Sequence, residues 1–301
     1  MTRTNLQVEP TTETPGMGLL MVNADDWGQD MPTTDRIREC CAVGTVSSVS
    51  AMVFMEDSER AAAVSKEDGI EAGLHLNFTA MFTGSAAPTR LAGHQERVAR
   101  HLLRHRMARV VFHPGLMSSF EYLAKAQIEE FCRLYGAVPE KIDGHHHMHL
   151  CANVLLQRLI PRGTMIRRTF SLDRGGKSVA NHTYRKLVSR RLGRGLANQA
   201  YRTLVDRHIA RHHCLTDYFF ALPPLEPAER LQRIFALAGQ FTVELETHPV
   251  IPEEYRYLTG GDFFRQIGDM RVARPSAIMR RHANPSLDPA RVRNHPVLNR
   301  R

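Results

Sequence analysis

The stretch Lys141-Ile142-Asp143-Gly144-His145-His146-His147-Met148-His149-Leu150 places four histidines and an aspartate within seven residues. Neutral imidazole is the commonest protein metal ligand, and carboxylates join it readily. The cluster is short, unlike a long histidine-rich tract, which favours a metal site over incidental surface affinity. Read as the end of a β-strand, its period of two puts Asp143, His145, His147 and His149 on one face, with His146 opposite.

Three other polar groups close apolar runs. Gly18-Leu19-Leu20-Met21-Val22 ends in Asn23-Ala24-Asp25-Asp26, and Gly73-Leu74-His75-Leu76-Asn77 carries His75 and Asn77 on one face. Phe241 to Pro249 alternates and ends in Glu246-Thr247-His248. Adjacent aspartates can divide roles, one holding a metal while the other holds or deprotonates a water. Singly these residues have ordinary explanations: a turn or helix cap for Asp25-Asp26, a half-buried imidazole for His75 or His248. Their combination carries the argument.

The elements that must position them alternate. Strands are expected at 18–22, 46–54, 69–77, the histidine stretch, 165–172, 218–222 and 241–249. Helices are expected at 34–43, 58–66, about 96–111, 119–135, 178–213 (one or two), 227–237 and finally 261–268. Alternating strand and helix predicts a mainly parallel sheet. Chemistry at the carboxyl ends of four strands predicts an α/β fold of the TIM-like (β/α) barrel type, irregular or seven-stranded, with an open doubly wound sheet second. The expected division is a flexible arm over residues 1–16, one barrel domain over 17–279 with an Arg-rich insertion at about 161–216, and a basic tail over 280–301.

In that order the motifs Val22-Asn23-Ala24-Asp25-Asp26-Trp27-Gly28, Gly73-Leu74-His75-Leu76-Asn77, Asp143-Gly144-His145-His146-His147-Met148-His149 and Glu246-Thr247-His248-Pro249 resemble the YdjC-like (ChbG-type) carbohydrate deacetylase family. The resemblance spans about residues 18–275. It departs from the usual pattern at Trp27, where Phe is common, and at Gly144, where Ser is common; neither removes a ligand. The resemblance implies a (β/α) barrel that hydrolyses acetamido groups on sugars with one divalent metal ion. It implies Asp26, His75 and His145 as metal ligands, Asp25 as catalytic base and His248 as general acid. Asn77, Asp143, His147, His149 and Glu246 are then candidates for supporting or substrate contacts. The mixed nitrogen and oxygen donors do not settle the metal; Mg or Zn is expected first, with Mn or Co as alternatives.

Composition bounds the rest. The 301 residues are 43% hydrophobic and 24% charged, ordinary values for a globular protein. The net charge of +9 is uneven, with thirteen Arg or Lys between residues 161 and 216 against Asp173 and Asp206. That excess suits an anionic ligand, a membrane surface or a partner protein, so the acetylated sugar expected as substrate is also considered in phosphate-bearing or lipid-linked form. Nucleic acid is not expected, since the patch holds few aromatics: Phe170, Tyr184 and Tyr201. Five cysteines without a CxxC pair predict a reducing compartment. The polar N-terminus and the lack of a long apolar run predict a cytoplasmic protein with no transmembrane segment. A homodimer is compatible with the sequence. The rival readings are another metal-dependent amide or phosphate-ester hydrolase, and an inactive protein that binds an anionic partner.

Overall fold

The computed structural model describes residues 18–105, 107–171 and 196–283. Strand and helix alternate from the start: β1 (Leu19–Trp27), α1 (Met31–Val43), β2 (Ser48–Ala51), α2 (Ser58–Asp68), β3 (Ala72–Leu76) and α3 (Thr89–Arg104). Next come α4 (Met117–Tyr135), β4 (Lys141–Gly144), α5 (Ala152–Gln157), β5 (Met165–Ile166) and α6 (Leu196–Ile209). The order ends with β6 (Tyr218–Ala221), α7 (Glu229–Ala238), β7 (Thr242–Thr247), α8 (Pro252–Thr259), α9 (Asp262–Ile267) and α10 (Pro275–Ala283).

All seven strands pair in parallel, in the order β5-β4-β3-β2-β1-β7-β6. The sheet curls until its two edges meet. Ile166 N–H donates to the Cys214 carbonyl at 2.9 Å, and Ser171 N–H to that of Phe219 at 2.9 Å. The result is an irregular seven-stranded (β/α) barrel, as the alternation predicts.

The strands divide their faces by polarity. Leu20, Val22 and Ala24 of β1, Leu74 and Leu76 of β3 and Val243 and Leu245 of β7 join one apolar core with Ile37, Phe120, Leu123 and Leu231 of the helices. The intervening residues, Asn23, Asp25, Ser50, Lys141, Asp143 and Glu244, are buried and bond to one another. The barrel interior is thus a polar network inside an apolar jacket.

Several expectations change. The histidine stretch is not a continued strand: β4 stops at Gly144, and His145–Leu150 is a tight turn kinked at His146 and His147, which have left-handed φ of 54° and 56°. A Cβ on Gly144 would stand 3.0 Å from the Leu76 carbonyl and 3.1 Å from His149 N, so the turn folds directly onto that glycine. The strand expected at 165–172 ends at Ile166, because Thr169 N–H turns to the Asp206 carboxylate. The basic helix expected at 96–111 is Thr89–Arg104. Of 178–213, residues 178–195 lie outside the described residues and Leu196–Ile209 is helical. The expected last helix is followed by Pro275–Ala283. No helix among the described residues is long and apolar enough to cross a membrane.

Candidate metal and active site

The carboxyl ends of β1, β3, β4 and β7 bring the singled-out residues together. At the end of β1 the pairing register shifts between Ala24 and Trp27, and Asp26 takes a φ of 66°. Aspartate tolerates that region better than most residues, and the bulge turns its carboxylate out of the strand alternation. Asp26 Oδ1 lies 3.0 Å from His145 Nδ1 and 3.4 Å from His75 Nε2. Donors bound about 2.0–2.2 Å from one tetrahedral or octahedral ion sit roughly 2.9–3.5 Å apart, so these separations fit a shared cation.

The donor chemistry fits as well. His75 Nδ1 contacts Asp143 Oδ1 at 2.7 Å. A ring nitrogen that donates to a carboxylate leaves the other nitrogen facing outward with its lone pair, the usual arrangement behind a metal-bound histidine. Burial favours neutral His75, but the Asp25 and Asp143 carboxylates hold its pKa up to about 10. A cation at Nε2 would replace that second proton. Burial also opposes ionised Asp26, yet bonds from His145 and His75 keep it well below the usual carboxylate range. Asp26, His75 and His145 could therefore hold one divalent ion. Two further donor groups lie beside them, Asp25–His75–Asp143 and Asp25–Glu246–His248.

Asp25 shows what the sequence reading missed. Both its oxygens are taken by Arg167, at 2.7 Å each, and Asn23 Nδ2 donates to it at 2.8 Å. Arg167 is fully buried and also reaches Asp143 at 2.9 Å and Glu244 at 2.8 Å. Lys141 supplies a second buried cation, 2.6 Å from Asp143 and 3.5 Å from Glu244. Against burial, which raises it, Arg167 and His75 hold the Asp25 pKa below its ordinary value. The stretch 161–216 is therefore no uniform basic patch, since Arg167 serves the interior and Arg168 pairs with Asp206 at 2.7 Å. The available signal was Arg167's position, one residue past a short apolar run.

His248 Nε2 stands 4.0 Å from Asp25 Oδ2 and 3.8 Å from Glu246 Oε1. Its loop is pinned by buried Glu254, which accepts from Thr247 Oγ1 at 2.7 Å and His248 N–H at 2.8 Å. Burial lowers the His248 pKa, but Glu246 and Asp25 raise it overall. Burial, with the Asp25 charge, pushes Glu246 up to about 8. The His145 and His248 side chains are 16% and 20% exposed, against 2% for Asp25, so they face the mouth and Asp25 the floor.

The remaining candidates separate. His147 Nε2 is 3.7 Å from Glu246 Oε2, and its ring packs on Phe170 and Phe219. Burial drives its pKa well down. His149 Nε2 donates to the Arg167 carbonyl at 3.0 Å and supports the floor. Asn77 is spent locally: its Oδ1 accepts from Thr79 and Ala80 N–H, and its Nδ2 donates to the Ala80 carbonyl. It caps the loop after β3.

The fold and site together define a parallel (β/α) barrel with a histidine–carboxylate centre at the carboxyl ends of its strands, the face where such barrels carry their sites. The chain belongs to the YdjC-like protein family, which it matches over residues 19–280. It is 35% identical to a chitooligosaccharide deacetylase of Serratia marcescens over 133 residues, 44% of this chain and 51% of that protein. It is 30% identical to a carbohydrate deacetylase of Danio rerio over 138 residues, 45% of this chain and 43% of that protein. The matched region thus spans about half the length of these relatives. The fold is also that of an Enterococcus faecalis crystal structure described as a cellobiose-phosphate cleavage protein, with a TM-score of 0.58, 16% identity and coverage of 87% of this chain and 98% of that one.

Proposed function

We propose that the protein is a divalent-metal-dependent N-deacetylase acting on an acetamido sugar or glycan. The observation that carries this reading is the convergence of Asp26, His75 and His145 beside Asp25, with His248 Nε2 4.0 Å from the Asp25 carboxylate. Deacetylase relatives that match just under half of the chain support it.

A divalent ion held by Asp26, His75 and His145 would supply a Lewis acid for the acetamide carbonyl and acidify a water. The chain's own residues do the rest. Asp25, kept ionised by Arg167, accepts a proton from the water as its oxygen bonds to the carbonyl carbon. His248, whose pKa Glu246 and Asp25 raise, gives its ring proton to the amide nitrogen as the C–N bond breaks. Without that proton, nitrogen is a poor leaving group. Products are acetate and a free amino sugar. Glu246 sits between His248 and His147 and tunes the acid. Zn and Mg remain ahead of Mn and Co as the ion proposed.

The test is acetate release from N-acetylated mono- and oligosaccharides, with phosphate esters as a second panel. Release should stop with EDTA, return with metal, and fall about 10²–10⁴-fold in Asp25→Asn. Cleavage of phosphate esters alone, or release indifferent to EDTA, would replace the reading.

A further inference from the structure

Between Glu96 and Glu121 the chain carries five arginines and three histidines and no carboxylate. This stretch is the latter part of α3, its connection to α4 and the first turn of α4. Leu91, Val98 and Leu102 fix the inner face of α3. Arg97, Arg100 and Arg104 are left outside and, with His101, His105 and His113, line an open cleft of about 250 Å³. Arg100 pairs with Glu96, whereas Arg97 and Arg104 have no carboxylate partner among the described residues.

Beside the arginines lies an apolar surface. Leu103, Met107, Val110, Val111 and Met117 are between 43% and 54% exposed. Soluble proteins scatter such residues singly, so three in one connection, with one more on each flanking helix, mark an interaction surface. Buried Ala108 and Leu116 hold the connection down. Ala152 N–H donates to the Arg109 carbonyl at 2.8 Å, and Arg109 donates to the His146 and His147 carbonyls at 3.2 and 3.3 Å. The surface therefore sits on the turn that carries His145, at the barrel mouth.

We infer that this connection seats the protein on an anionic phospholipid bilayer, with Met107, Val110 and Val111 entering the interface and Arg97, Arg100 and Arg104 meeting lipid phosphates. Apolar tips beside basic side chains are the combination that binds such a surface. A nucleic acid would use the arginines and leave the apolar tips in water. A second copy docking through the same patch would bring arginine against arginine. The inference goes beyond the proposed reaction and does not depend on it.

The experiment is sedimentation of the full chain with phosphatidylcholine vesicles, with and without phosphatidylglycerol. Binding should require phosphatidylglycerol and weaken with salt. The triple variant Arg97→Ser, Arg100→Ser, Arg104→Ser should bind on the order of hundredfold more weakly. The triple variant Met107→Ser, Val110→Ser, Val111→Ser should also lose vesicles, with its circular dichroism and Tm unchanged. Equal binding to neutral vesicles, or full binding by this second variant, would overturn the inference. So would a dimer in light scattering that the second variant abolishes. Asp25→Asn should bind as the wild type does, which keeps failure here distinct from failure of the proposed reaction.

Discussion

At the residue scale the barrel floor is a problem of charge. Asp25, Asp143 and Glu244 are buried together, and Arg167 and Lys141 are the cations that answer them. Isolated charges in such a place are expensive, so removing one partner costs more than the pair itself contributes. Arg167→Met leaves three carboxylates facing one ammonium, and its Tm should fall by on the order of 10 °C. Arg167→Lys restores the charge without the planar fork that spans Asp25, and should recover part of the stability and little of the acetate release. A Tm for Arg167→Met equal to that of the wild type would show that the network is not holding the floor.

At the scale of elements the site depends on how closely β3 approaches β4, where His75 pairs with Asp143. Gly73 permits that approach, since a Cβ there would lie 2.7 Å from the Lys141 carbonyl. Gly73→Ala should cost about 1–3 kcal/mol by forcing the strands apart. By moving Asp143 from His75 it should also weaken Zn binding measured by calorimetry. Gly93→Ala is the control: it lies in α3 with nothing within 4 Å of its Cβ, and should stabilise by up to about 1 kcal/mol. Equal effects of the two would remove strand spacing as the cause. Strand ends were legible in the sequence because apolar runs broke into Asp25-Asp26, His75 and His248. The turn at His146 and His147 was not, since alternation reads alike in a strand and in a turn folded onto Gly144. Nor was Arg167, whose burial is decided by carboxylates from β1, β4 and β7 rather than by its neighbours in sequence.

At the scale of the whole molecule, the buried histidines set how the metal-free fold meets acid. Burial holds His147 well below its ordinary pKa, and drives His149 down to about 3. In the unfolded chain both titrate near 6.5. Between about pH 3 and 6.5 the unfolded state therefore binds protons at these two rings that the folded state refuses, and their contribution to stability rises with pH across that window. Asp26 and Asp143, held well below 3.8, also lose their contribution on acidification, but only below the carboxylate range. His75, raised to about 10, works in the opposite sense: its contribution is complete below 6.5 and disappears as pH climbs through 10. The two rings thus begin to cost stability just below pH 6.5, against Glu246, which is raised to about 8 and gains its proton in the folded state first. His149→Gln keeps a donor for the Arg167 carbonyl and removes the titrating ring. Its Tm should drop less than the wild type's between pH 7.5 and pH 5, both measured in EDTA. Parallel pH slopes for the two proteins would show that acid opens the fold elsewhere than at the floor of the barrel.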